Sequence, residues 1–480
     1  MNYLSGSISY QNIKDYLEDF GSPLHIYSTE TISKIASSYK EIAANYYPDM
    51  DICFASKSNP CMGAIKVASE NGLGCDAVSE FELKAALSSG ISPDKIYCNG
   101  NAKDDNYLRL AVSSEANIVL DNEEELDSVE SICSEFNKSC NVLVRFSNID
   151  GLDGLTSKAQ STATHWTKFG FSFTKRFELV ELIEKSSFLN YMGPSAHIGT
   201  QLTSPKGFTN LLEQFIAFSE ELLVKGINTR KINIGGGFPV NFFNEKEWQE
   251  FKSRLRKQRN NPEDTSGYIT WDNLELGYSH IEDLDNLNEN TPWIGKAFWS
   301  KYPGAEMLKK ILQATVMDKP NFVKRLEMLG KPKLVIEPGR SLFAPAGITA
   351  TIVNNVKTVQ GNNVVSVEMG IVNHGTNLIS TDIFTMSIEP ALNDDVASEA
   401  FIAGQLCFSS DMISKNKVKL NRIPQKGDIL IIHNTGAYSA DHFASNSCGF
   451  PRPAKIAISP DGETIVWRKR EAYKDIFSEK

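Results

Sequence analysis

The chain has 480 residues, 41% of them hydrophobic, and a formal net charge of -10. That length exceeds one ordinary domain and suits two, and the acidic balance argues against nucleic acid and anionic membrane surfaces as partners. No apolar run approaches the roughly 20 residues that span a bilayer. The opening MNYLSGSISYQ lacks the basic and apolar regions of a signal peptide. The eight cysteines are scattered, with no CxxC and no Cys/His cluster. Reduced thiols in a cytoplasmic protein, with no structural metal, are the expectation.

In chain order, SPLHIYS (22–28) is strand-like and stands ahead of a repeating rhythm. From Asp51 short apolar runs alternate with turns and helical patterns. The runs are DICFAS (51–56), GCDAV (74–78), KIYCN (95–99), ANIVLD (116–121), NVLVRF (141–146), GPSAHIG (193–199), KINIGGG (231–237) and KLVIEPG (333–339). Helical stretches such as SEFELKAALSSG (79–90) and GFTNLLEQFIAFSEELLVKG (207–226) fall between them. Eight strand-plus-helix units predict an α/β fold, a (β/α)8 barrel. After about Ala346 the texture becomes strands with Gly, Asn and Asp turns, which predicts a β-domain. The expected domains are therefore an N-terminal segment 1–44 that joins the β-domain, a barrel over 45–345, and the β-domain over 346–480.

One interval breaks the rhythm. About 95 residues separate the last two strands, where a barrel unit needs about 40, and the surplus falls at 245–300. It holds Trp248, Trp271, Trp293 and Trp299 of the chain's six tryptophans. A floppy linker would not carry so much indole, so an ordered insertion is expected. It is either a surface elaboration or oligomer contact, or an active-site cover or partner surface.

Chemistry in a barrel gathers where the strands end. Those ends supply Lys57, Asp76, Arg145, His197, the glycines Gly235, Gly236 and Gly237, and Glu337 with Arg340. Each has a plain alternative. His197 suits a satisfied interior histidine, Glu82 fits a capping box with Ser79, and Cys407 suits an inert buried thiol. Asp76 and Glu337 suit buried partners of Lys57 and Arg340. Jointly, a lysine amine, a glycine loop for a phosphate, an imidazole and an acid facing a pyridine nitrogen fit pyridoxal phosphate.

At these motifs the chain resembles the fold-type III pyridoxal-phosphate-dependent amino-acid decarboxylases, the diaminopimelate, ornithine and arginine group. FASKSNP, GCDAVSEFEL, AHIGTQ, INIGGGFP, IEPGR, CFSSD and NTGAYS occur in that family's order from 54 to 438. HIGTQ and INIGGGFP look nearer the diaminopimelate branch. The resemblance implies an alanine-racemase-like barrel with Lys57 as the cofactor's lysine, positioned by Asp76 and Glu82. His197 would stack on the ring, Glu337 would meet the ring nitrogen and Arg145 the ring hydroxyl. Thr200 stands where the family has serine. Gly235, Gly236, Gly237, Arg340 and Tyr438 would hold the phosphate. Cys407 would give a proton to the substrate carbon after CO2 leaves, reaching the active site of the other subunit of a homodimer.

Two departures fall on the substrate pocket. Phe408 replaces the glutamate that follows the cysteine in the diaminopimelate branch, and Ser380 or Thr381 stands where that branch has an arginine. Each loss removes a charge-assisted hydrogen bond of roughly 1.5–3 kcal/mol, several hundredfold or more together if additive. Arg340, Phe408, Ser380 and Thr381 are thus the expected substrate contacts, and a related D-configured or modified lysine- or ornithine-type substrate competes with meso-diaminopimelate. The alternatives are a racemase on the same barrel and a non-catalytic binding homologue.

Overall fold

The structure is a computed structural model. It describes residues 8–152, 162–163, 165–261, 263, 268–273, 297–316, 318–375, 383–392 and 396–478. Their contacts divide the chain into two compact units. One comprises Ser33–Pro239 and Lys301–Leu342; the other comprises Met1–Ile32, Val240–Ser300 and Phe343–Lys480.

The first strand, β1 (Leu24–Ser28), belongs to the second unit. The first unit holds β2 (Met50–Ala55), β3 (Gly74–Ala77), β4 (Ile96–Cys98), β5 (Asn117–Leu120), β6 (Cys140–Ser147), β7 (Phe171–Ser172), β8 (Leu189–Ser195), β9 (Lys231–Asn233) and β10 (Lys333–Ile336). All but the two-residue β7 form a ring of eight parallel strands, closed where β10 pairs with β2 and β5 with β6. This is the expected barrel. It is filled at one level by Cys53, Tyr97, Val119, Leu143, Met192 and Val335, all buried. The apolar runs came out as strands because both faces of each strand are covered, so no polar alternation is needed.

After β3, β4 and β5 the chain restarts its helices in one way. Ser79, Asp104 and Asn122 each accept a hydrogen bond from a backbone N–H of the helix that follows. Each such cap contributes about 1 kcal/mol and stops the turn from wandering at the barrel mouth. One strand differs from expectation. The run GPSAHIG was expected as a strand, but β8 begins at Leu189 and ends at Ser195. Leu189, Tyr191 and Met192 supply its buried half, while Ala196–Gly199 leave the sheet and carry His197 into the mouth.

The second unit is built on β11 (Gly347–Val359), β12 (Asn362–Val367), β13 (Met386–Glu389), β14 (Ser398–Ala403), β15 (Met412–Leu420), β16 (Ile429–His433), β17 (Ala454–Ile458) and β18 (Thr464–Arg468). Strand β1 lies antiparallel to β11 and parallel to β17, with Leu24 opposite Ala350 and Ala454. Ile13 and Leu17 of the helix Tyr10–Phe20 pack on Ile26, Ile348, Ile431 and Ile456.

The tryptophan-rich segment joins this second unit. Its helix Glu245–Asn260 starts with a capping box between Asn244 and Glu247. Trp248 stacks on Phe251 and Trp271 sets its edge against Phe401 of β14. Arg254 forks onto Glu399 at 2.6 and 3.0 Å. The described part of the segment is therefore ordered packing; Trp293 lies outside the described residues.

Candidate active site

Strand β2 ends at Ala55 and the chain turns at once through a single 3-10 turn, Ser56–Ser58. That turn lifts Lys57 out of the wall, and its Nζ donates to Asp76 Oδ2 at 2.9 Å. Asp76, on β3, is fully buried. Its other oxygen, Oδ1, accepts from Asn99 Nδ2 at 2.7 Å. The same Asn99 nitrogen donates to Glu337 Oε1 at 3.0 Å, and Asn233 Nδ2 donates to that oxygen too, at 2.7 Å. Burial, with the Asp76 charge second, pushes the Glu337 carboxyl up to about 7. Lys57, Asn233 and Arg145 pull in the opposite direction.

Glu82 acts one step away. Ser79 caps its helix as expected, but the Glu82 carboxylate does not complete the box. It accepts from Val78 N–H at 2.9 Å and from Ser56 Oγ at 2.6 Å. Ser56 Oγ also lies 2.8 Å from the Asp76 carbonyl oxygen. Glu82 therefore fixes the residue before Lys57, and its own carboxyl is raised by burial.

The three glycines form a loop that only glycine fits. Gly235 and Gly237 have φ of 69° and 96°, in the region that favours glycine. A Cβ on Gly235 would lie 2.6 Å from the Ala196 carbonyl oxygen, and one on Gly236 would overlap the Glu337 carbonyl. Gly235 N–H is held by Asn233 Oδ1 at 2.9 Å and Gly236 N–H by His197 Nδ1 at 3.1 Å. An accepting Nδ1 places the ring proton of His197 on Nε2. Burial, then the charges of Lys57 and Arg145, hold His197 well below its ordinary value, so the ring is neutral at pH 7.

Arg145, near the end of β6, is buried. Its guanidinium lies over the Phe169 ring at 4.2 Å, and its Nη1 is 3.8 Å from Asp121 Oδ1. Burial lowers its pKa from the usual arginine value. Arg340 opens the short helix Arg340–Phe343 just beyond Glu337, and Thr200 lies half-buried in the turn after β8. Hydrogen bonds and charge thus join Lys57, Asp76, Arg145, His197, Gly236 and Glu337 at one end of the barrel.

The remaining candidates lie in the second unit. Cys407 and Phe408 occupy the turn between β14 and β15, both exposed, Phe408 to 43%. The buried Asp411 carboxylate builds that turn, accepting from Leu406 N–H at 2.7 Å and Ile371 N–H at 2.6 Å. Tyr438 follows β16 with φ 62°, its ring 5.4 Å from that of His442. Ser380 and Thr381 lie outside the described residues.

Sequence reasoning passed over Asn99, Asn233 and Ser56. An asparagine at a strand end ordinarily signals a turn. Only its place on the same rim as the named residues hinted at more.

The barrel end suits pyridoxal phosphate. Lys57 offers an amine, Gly235–Gly237 leave no side chain at the end of β9, and among the described residues the donations to Glu337 fall on Oε1. Comparison with known proteins agrees. Residues 32–266 match the pyridoxal-binding domain of the pyridoxal-dependent decarboxylases. Diaminopimelate decarboxylases of Synechocystis and Bacillus subtilis are 25% and 27% identical to the chain. Each alignment covers 96% of this chain, with 87% and 91% of the relative. A diaminopimelate decarboxylase of M. jannaschii, solved with L-lysine, has the same fold (TM-score 0.76, 22% identity, 97% of this chain and 93% of that one). A lysine/ornithine decarboxylase of Vibrio vulnificus, solved with cadaverine, shares it too (TM-score 0.67, 19% identity, 94% and 99%).

Fold, motifs and relatives together make the chain a pyridoxal-phosphate-dependent carboxy-lyase of amino acids. The matched domain and relatives make it similar to the fold-type III decarboxylases, and among them to the diaminopimelate decarboxylases.

Proposed function

We propose that the chain releases CO2 from the α-carbon of a diamino acid, as a cytoplasmic homodimer whose two subunits share their active sites. What most supports this reading is the Lys57 amine, 2.9 Å from Asp76, in one hydrogen-bonded set with Glu337 beside the glycine loop. None of the eight cysteines is in a disulfide, in keeping with a reducing compartment.

Pyridoxal phosphate, when bound, supplies an aldehyde for amines and a ring that accepts the electrons left when CO2 departs. Lys57 is the amine that holds it, and Asp76 keeps that amine at the mouth. Glu337 would receive the ring nitrogen. Neutral His197 would lie beside the ring without adding charge, and Arg145 would meet the ring hydroxyl. Gly235, Gly236, Gly237, Thr200, Arg340 and Tyr438 would hold the phosphate. Cys407 of a second copy would supply the proton to the substrate carbon, and the Lys57 amine would stand ready to take the cofactor back from the product. Arg340, Phe408, Ser380 and Thr381 contact the substrate.

Phe408 argues for a substrate whose far end is less charged or modified, because a phenyl ring cannot pair with an ammonium as a carboxylate does. The names of the relatives favour diaminopimelate. A CO2-release screen across meso-diaminopimelate and D- and L-basic amino acids decides. Weak turnover of meso-diaminopimelate is expected, with Phe408→Glu raising it about 10- to 100-fold. Efficient turnover by the unaltered protein overturns the Phe408 argument, and no CO2 from any amino acid overturns the function. Cys407→Ala is expected to slow product formation about 100-fold with unchanged cofactor affinity. Lost cofactor binding in that variant would make the thiol structural.

A further inference from the structure

Asn99 sits directly after β4 and is buried, 6% exposed. Its backbone is pinned by the neighbouring strand, with Asn99 N–H on the Ala77 carbonyl at 2.8 Å. Tyr107 Oη lies 2.8 Å from the same Ala77 carbonyl and 3.4 Å from that of Asn99. The side chain has no slack either. An amide nitrogen carries two hydrogens, and Asn99 directs one at Asp76 and the other at Glu337. These are buried acids from β3 and the end of β10, the strands on either side of β2, and like charges at such range oppose each other's ionisation.

The two acids are not equally served. Asp76 has the Lys57 ammonium at 2.9 Å. Glu337 has no ion-pair partner among the described residues; its hydrogen-bond donors there are the neutral amides of Asn99 and Asn233. Other ionisable groups facing this cluster are Cys53 from β2, Tyr97 and Cys98 from β4, Glu82 and Tyr107 from the helices after β3 and β4, Arg145 from β6 and His197 after β8. An amide donates at every pH and adds no charge of its own. A hydrogen bond to a carboxylate favours its ionised form.

We infer that Asn99 is a positioning residue that holds Asp76 and Glu337 in register and keeps Glu337 available as a carboxylate. It thereby sets the pH above which Glu337 can receive a ring nitrogen. The inference rests on the reading that Glu337 faces the cofactor ring, but its test begins without the cofactor.

A group that keeps its proton to higher pH in the folded state gives stability that is full below the unfolded value and lost as pH rises through the folded one. For Glu337 that window runs upward from the ordinary carboxylate range to about 7. In the apoprotein, Asn99→Ala removes the donor from both acids, so the loss extends to higher pH. Its melting temperature is expected to fall short of wild type at least twice as far at about pH 8.5 as at about pH 5. In the cofactor-loaded protein, the midpoint of the absorbance change with pH is expected to rise by about one unit or more. An equal deficit at both pH values overturns the inference and leaves Asn99 a spacer, as does an unmoved midpoint where Glu337→Gln does alter the bound cofactor's spectrum. If the cavity in Asn99→Ala prevents folding, Asn99→Leu removes the donors at similar volume and carries the same test. Glu337→Gln separates the two readings. If it leaves the bound cofactor's spectrum unchanged while Asn99→Ala shows the widening deficit, the ring assignment fails and the role of Asn99 stands.

Discussion

Lys57→Ala is expected to yield a folded protein without the absorbance near the visible edge that marks a lysine-bound cofactor, and with CO2 release reduced on the order of 10⁴-fold or more. The geometry makes the effect specific. Lys57 leaves the wall on a one-turn 3-10 segment, and its ammonium is aimed at Asp76. Another lysine on this rim, Lys103, is already engaged by the Gly100 and Val119 carbonyls and the Glu125 carboxylate. It has no freedom to substitute. Borohydride reduction of the loaded wild type followed by peptide mapping should fix the label on Lys57. A label on Lys103, or a Lys57→Ala protein that keeps its colour, would sink the assignment. Asp76→Asn is expected to fall between the two, because the amine remains and only its acceptor is weakened.

Gly236→Ala should be nearly as severe for a different reason. Its Cβ would overlap the Glu337 carbonyl oxygen, which is backbone and cannot swing aside as a side-chain tip does. The loop has to move, and with it goes the Gly236 N–H bond to His197 Nδ1. Cofactor affinity is expected to drop at least about 100-fold, equivalent to the ~3 kcal/mol that a displaced loop and a broken buried hydrogen bond cost. The melting temperature of the apoprotein should change little by comparison, since the clash is local to the loop. Unchanged affinity in fluorescence titration with pyridoxal phosphate would show that the loop does not hold the cofactor.

Much of the barrel was legible in the sequence because its strands are buried on both faces. Runs such as DICFAS and NVLVRF announce themselves without any partner being known. The residues at the ends of those runs could be named for the same reason, as a strand end in a barrel is a place on the rim. Asn99 and Asn233 could not. Asn99 meets Glu337 across 238 positions of chain and Asn233 meets it across 104. Nothing local distinguishes such an asparagine from a turn residue. The start of β8 was hidden for a related reason. The motif around His197 drew attention to residues that leave the sheet, while the buried Leu189–Met192 stretch carries no such mark. In the second unit, CFSSD was recognisable as a motif. Its physical basis, one buried Asp411 carboxylate tying the Leu406 N–H of its own turn to the Ile371 N–H after β12, appears only in three dimensions.

The pairing of β1 has a consequence for the order in which the chain is made. Its neighbours β11 and β17 lie about 320 and 430 residues further along. At 5–20 residues per second, roughly 20–90 s pass between synthesis of β1 and arrival of its last partner. By then every strand of the barrel has already been available to close. Throughout that interval LHIYS is an apolar strand with at least one open edge, the kind that templates aggregation. A stop anywhere between β16 and β17 would release a chain with a completed barrel and a permanently exposed edge, so the vulnerable product of interrupted translation is set by β1, far from the chemistry.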